Sequence, residues 1–252
     1  MNYIDKFQKY NNLVSDDIYY SKIGASNILF IGGCRSFVYA IFFEELCKYV
    51  PYFKHAQFGF AAIGVHIIDI YKRSKTNNLT YVIENADYIV CEQIRNYNIL
   101  NTSENCEQNI FNNFNIKKNC KIIQIPNLEF KYYIRELDFS GGIDNTNIEI
   151  IKEIKQNNLT KFVEHLKKYN FHNLSTYFKN NINTKRFFIQ MNHPCNNFIL
   201  ELFKELIELL FQQKLSDNII RILKNIQIFD NDPNITPILE MDYILGIDRT
   251  VK

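Results

Sequence analysis

Cys34 and His193 share a context: each follows a short apolar run and precedes a segment with helical spacing. A cysteine and a histidine that meet in space form a nucleophile–base pair, whatever their separation along the chain. The sulfur attacks a carbonyl carbon and the imidazole carries the proton. Cys34 comes after the run Ile28–Ile31 and the pair Gly32-Gly33, and before a segment with Val38, Ile41, Phe42 and Leu46 on one side. It is therefore predicted at a strand-to-helix turn. There the unpaired N–H groups and the helix dipole favour negative charge, so its pKa is predicted to fall. The plainer alternative is a small apolar filler behind a turn. For His193 it is a helix-start histidine tied to local backbone.

Three further groups belong to the same predicted crevice. Gln93 follows a predicted strand, and its amide can donate to a developing oxyanion beside the backbone N–H of Cys34. Its alternative is a strand-end polar group facing solvent. Gly32 and Gly33 let a ligand approach the backbone closely. Arg35 and Ser36 open the helix, where anions bind. Arg95, Lys131, Arg135, Lys185 and Arg186 fall near the predicted crevice ends as a basic rim or as ordinary surface charge. His66 is a spare base; His55, His165 and His172 are predicted to be structural or exposed.

The elements that must position these groups alternate. After a polar lead over 1–26, possible helix from Ile4, come a strand over 28–31, a helix to about Lys48, and a break at Pro51. Ala56–Arg73 is ambiguous between strand and helix. Tyr88–Cys91 reads as a buried strand and Cys120–Ile125 as a further short strand, stopped by Pro126, with a possible helix over Cys106–Phe114 between them. From 147 to 180 the chain shows helical spacing only, as an insertion or cap. Arg186–Met191 is another strand candidate and Phe198–Phe211 the clearest helix, with Glu201, Lys204, Glu205 and Glu208 on its wet face. A helix, a short strand and an irregular tail are predicted after Ser216. Strands separated by helices predict an α/β protein with a mainly parallel sheet, in one domain over 1–252. In such a sheet, groups at the C-terminal strand ends converge on one crevice. Cys34, Gln93, Pro126 and His193 are all predicted there.

At 252 residues and 46% hydrophobic, the chain can bury a sizeable core. A net charge of +2, with dispersed cations, argues against a nucleic-acid partner. The N-terminus is polar and no apolar stretch is long enough to span a bilayer, so the expected location is cytoplasmic. The six cysteines include no CxxC pair. Reduced thiols and no metal site are expected.

Four features in order resemble the polysaccharide-biosynthesis acetyltransferases typified by the WcbI capsule protein. They are Gly32-Gly33-Cys34-Arg35 after a strand, the strand end Ala86-Asp87 through Gln93, the run Ile123-Gln-Ile-Pro126, and Phe187 through His193-Pro194 before a long amphipathic helix. Together they span roughly 27–212. In that family Asn and Gln flank the cysteine where this chain has Gly33 and Arg35. Loss of the Asn removes a possible oxyanion donor, and Arg35 becomes a candidate contact for a donor phosphate.

The resemblance implies a three-layer α/β/α fold similar to SGNH-type hydrolases, with an early nucleophile and a late histidine. It implies acetyl-coenzyme A as donor and a sugar hydroxyl of a glycan as acceptor, with Cys34, His193 and Gln93 as catalytic residues. A glycan acyl-ester hydrolase and a catalytically dead glycan- or nucleotide-binding module are the alternatives. A dinucleotide-binding reading is weak, because Gly32-Gly33-Cys34 lacks the GxGxxG pattern. Neither the acidic partner of His193 nor the oligomeric state is readable.

Overall fold

The computed structural model describes residues 18–20, 24–63, 77–92, 114–128, 145–182, 184–185, 187–190 and 193–228. The chain divides into two compact units, Met1–Asn127 with Ser216–Ile226, and Leu128–Leu215 with Gln227–Lys252.

The first unit is built on a five-stranded sheet. Its strands are β1 (Ile18–Tyr20), β2 (Ser26–Ile31), β3 (Phe58–Ile63), β4 (Tyr88–Glu92) and β5 (Lys121–Ile125), in the order β1-β3-β2-β4-β5. β2 pairs in parallel with β3 and β4, and β4 with β5; β1 runs antiparallel along the β3 edge. The first half of the ambiguous run Ala56–Arg73 is thus the strand β3. All six of its residues are buried, which explains why no alternation marks it. β1 falls within the polar lead, where no strand is expected; three residues are too few to show a period.

Helices cover both faces of the sheet. On one lies α1 (Arg35–Tyr49), followed by the short α2 (Pro51–His55). Proline at the first position of α2 lacks the N–H that a helix start leaves unpaired. Phe43 of α1 is the centre of this layer, with ring contacts to Phe30, Phe53, Phe58 and Phe60 at 5.4–6.2 Å. On the other face α3 (Asn77–Asn85) buries Ile83 against Leu29, Ile31, Ile89 and Cys91. The result is the expected three-layer α/β/α arrangement. α7 (Asp217–Lys224) packs on α1. Sandwiched so, α1 is buried at every position from Arg35 to Phe43, rather than amphipathic as its spacing predicts.

The second unit holds α4 (Asn145–Lys168), α5 (His172–Asn181), β6 (Phe188–Gln190), β7 (His193–Pro194) and α6 (Asn196–Phe211). α4 and α5 account for the helical spacing over 147–180. Phe162, Phe178, Phe187, Phe188 and Phe198 form its aromatic core. Glu205, predicted on the wet face of α6, is buried instead. Its two oxygens accept the N–H groups of Asn173 and Leu174 at 2.9 and 2.8 Å, closing the start of α5. The predicted elements over 4–17, 106–113 and beyond 228 lie outside the described residues. Among those described, no helix is long and apolar enough to cross a membrane.

Candidate functional site

The order β3-β2-β4-β5 contains a reversal. From β2 the chain moves to β3 on one side, then crosses to β4 on the other side of β2 and on to β5. The switch point lies between β2 and β4. In open parallel sheets, ligand crevices form outside the C-terminal strand ends at such a point. Gly32, Gly33 and Cys34 follow β2 there, and Glu92 ends β4 beside them.

Local geometry fixes this turn. Ile31 pairs with Cys91, so Gly32 runs alongside Glu92. The Gly32 N–H donates to Ile63 O at 3.1 Å. Ser36 Oγ donates to the carbonyls of Gly33 and Ile63 at 2.8 and 3.0 Å, and the Ser36 N–H returns to Gly33 O at 3.0 Å. Ser36 is therefore a buried structural tie between the turn, α1 and β3. Cys34 caps α1 with helical backbone angles and makes no side-chain cap bond.

The dominant feature is a buried ion pair that the sequence motifs do not announce. Arg35 is 6% and Glu92 2% exposed. Arg35 Nε donates to Glu92 Oε1 at 2.5 Å, and Nη2 donates to Asn127 Oδ1 at 3.0 Å. The other Glu92 oxygen accepts the Gly33 N–H at 3.1 Å. Burial alone would lower the Arg35 pKa, but the charge and hydrogen bond of Glu92 outweigh it and raise it. Arg35 is thus a buried cation, paired with Glu92 and hydrogen-bonded to Asn127. Sequence reasoning passes over Glu92 as the residue after a buried strand. The signal that finds it is physical: a carboxylate at the end of a buried strand needs a partner, and the nearest cation in the motifs is Arg35.

The same environment reverses the expected ionisation of Cys34. Cys34 is partly exposed, but desolvation is still the largest influence on its thiol and raises the pKa. The Arg35 charge opposes this, Glu92 adds to it, and the backbone N–H groups of Cys34 and Arg35 pull it down by less. The helix-start effect is present and is outweighed. At neutral pH the group is a thiol, not a standing thiolate. Tyr39, one turn into α1, is buried as well, with its pKa raised by desolvation and then by Glu92.

Gly32 has a steric reason to be glycine. A Cβ there would lie 2.8 Å from Glu92 Oε2 and 2.9 Å from Glu92 Cβ. Gly32→Ala is expected to displace Glu92 and cost about 1–3 kcal/mol, as overpacking does. Urea denaturation at unchanged m-value checks it, and a loss under about 0.5 kcal/mol would mean that Glu92 moves freely.

No protein-family model and no curated protein matches the chain. A solved structure of WcbI, described as a polysaccharide biosynthesis enzyme, is similar to it. The identity is 13%, over 79% of this chain and 72% of that one, with a TM-score of 0.47. That structure is the native protein without a disulfide bond between coenzyme A and one of its cysteines.

Of the other predicted site residues, Pro126 is buried just past β5, in the same unit as Cys34. His193 belongs to the second unit, where its backbone pairs with Gln190. β6 and β7 form their own two-stranded antiparallel sheet. His193 therefore does not follow a strand of the parallel sheet. Gln93, His66, Arg95, Lys131, Arg135 and Arg186 lie outside the described residues. Lys185 sits over the Tyr177 ring, 4.9 Å from its centroid. His55 and His172 are exposed. His165 stacks edge-on against Tyr169, and its pKa is lowered by burial and then by Lys168. The Asp of the second matched motif, Asp87, works at the other end of the sheet. It accepts the Asn27 N–H at 2.8 Å and binds Lys117 Nζ at 2.8 Å, tying β4 to β2. Among the described residues no group of His, Cys, Asp and Glu could hold a metal.

Proposed function

We propose that this protein transfers an acetyl group from acetyl-coenzyme A to a sugar hydroxyl in glycan biosynthesis, with Cys34 as nucleophile, His193 as base and Gln93 as an oxyanion donor. The observation that carries this reading is the position of Cys34. It caps α1 directly after β2, at the reversal between β2 and β4. The four matched motifs and their order add the donor and acceptor classes.

The chemistry runs in two steps. A base removes the Cys34 proton as the sulfur attacks the acetyl carbonyl, and the coenzyme A sulfur leaves as the C–S bond breaks, taking that proton back from the base as a thiol. Exchange of one thioester for another is nearly balanced. The base then takes the proton of the sugar hydroxyl, whose oxygen attacks the acetyl-cysteine and releases the thiol. The raised Cys34 pKa supports proton removal during the attack over a preformed ion pair. The Gly33 N–H already serves Glu92. Oxyanion donation therefore falls to the Cys34 N–H and Gln93.

Ligand that binds only the folded protein raises its melting temperature once its concentration exceeds Kd. Titration with acetyl-coenzyme A and with coenzyme A is expected to give saturable rises, beside an NAD control that gives none. At a hundred times Kd the stabilisation is about 2.7 kcal/mol. No rise at millimolar ligand overturns the donor assignment.

A further inference from the structure

We propose that Glu92 is a positioning residue for Cys34: its carboxylate bridges the Gly33 N–H and the Arg35 guanidinium and so locks the turn that carries the sulfur across the β2/β4 switch point. The proposal rests on the reading of Cys34 as the reacting group.

Glu92 uses both oxygens, one on the residue before Cys34 and one on the residue after it. Cys34 is thus held between two anchors to a neighbouring strand. The cradle is also fitted. Gly32 gives Glu92 room that any Cβ would remove, and Asn127, just beyond β5, holds the far side of the guanidinium. Ends of three parallel strands therefore converge on one pair of charges. Finally, the arrangement fills the start of α1 with an internal anion. The Gly33 N–H and Arg35 would otherwise form an anion-binding cradle.

The lock has an electrostatic consequence. Among the described residues, the charged or titratable groups acting on the Cys34 sulfur are Arg35 and Tyr39 on α1 and Glu92 on β4. Arg35 favours the thiolate and Glu92 opposes it. Removing either charge must move the sulfur's ionisation, in opposite directions. A Glu92 that merely neutralised a stray arginine away from the sulfur would leave it where it was.

The test is the pH profile of Cys34 alkylation by iodoacetamide on the full chain, resolved by peptide mass spectrometry because other thiols also react. Glu92→Gln keeps the shape and removes the charge. Its profile is expected to move toward acid, and a profile displaced by one pH unit makes alkylation about tenfold faster at neutral pH. Arg35→Gln is expected to move the profile toward alkali and slow the reaction. If one variant fails to fold, the other carries the test. A wild-type profile in a folded variant overturns the proposal. No acetyl transfer is needed for this readout. A displaced profile with no binding of coenzyme A would leave the lock standing and remove the acetyltransferase reading.

Discussion

Glu92→Ala is expected to destabilise the protein by about 3–5 kcal/mol, whereas the double replacement Arg35→Met with Glu92→Met is expected to be close to neutral. The asymmetry follows from desolvation. Both partners are nearly out of water, so the folded protein has already lost their hydration. Their mutual attraction and the bonds to Gly33 and Asn127 restore most of it. Removing Glu92 alone leaves a guanidinium in a buried site without its counter-charge. The Gly33 N–H loses its acceptor at the same time. Replacing both side chains by methionine removes both charges together and keeps roughly the volume. Equilibrium urea denaturation, read as the change in midpoint at constant m-value, separates the cases. A loss under about 1 kcal/mol for the single variant would mean that water reaches Arg35 readily.

This energetic pattern says what the pair is for. A buried ion pair contributes little net stability compared with a well-packed apolar core. Methionines at 35 and 92 would hold α1 against the sheet about as well. They would not tie Gly33 to β4, and they would not oppose two charges beside a sulfur. The worth of the pair lies in the position of the turn and in the chemistry of Cys34.

How far the sequence carries is visible in the same residues. The strands β2, β4 and β5 and the helices α4, α5 and α6 are readable, because apolar runs and helical spacing report burial directly. The α/β/α class follows from their alternation. β3 is ambiguous because full burial erases the alternation that distinguishes a strand. α1 looks amphipathic because spacing alone does not show that α7 covers its outer side. The position of Cys34 at a strand-to-helix turn is legible from Gly32-Gly33. Its ionisation is not. The helix start is a local feature, but desolvation and the Glu92 charge come from a strand 57 residues beyond Arg35. The pairing of Arg35 is hidden for the same reason: its partner is set by sheet register, which places Gly32 beside Glu92. His193 reads as part of the parallel sheet because a short aromatic strand looks the same in any sheet. Its backbone pairs instead with Gln190 in a separate antiparallel sheet.

Cys34→Ala is expected to reduce acetyl transfer by at least about a thousandfold, and His193→Gln by about 100- to 10,000-fold, the range for a lost general base. The two losses should not add. Residues that act as one unit are each worth nearly as much as the pair, so the double variant should be about as slow as the slower single one. Cys34→Ser discriminates the routes. If the acetyl group passes through sulfur, serine is a far poorer nucleophile and the rate falls with the alanine variant. If transfer is direct, serine keeps the rate, and no acetylated Cys34 peptide appears after mixing with donor alone. The pH dependence follows from the raised thiol pKa. Below that pKa the thiolate fraction drops about tenfold per pH unit. An enzyme that needs a free thiolate would therefore lose kcat/KM steadily from alkaline pH down through neutrality. One in which His193 removes the proton during attack would instead level off wherever the imidazole is unprotonated. With His193→Gln the plateau should vanish and the steady slope return. A profile that levels off in both the wild type and that variant would remove His193 from the reaction and leave Cys34 with another base.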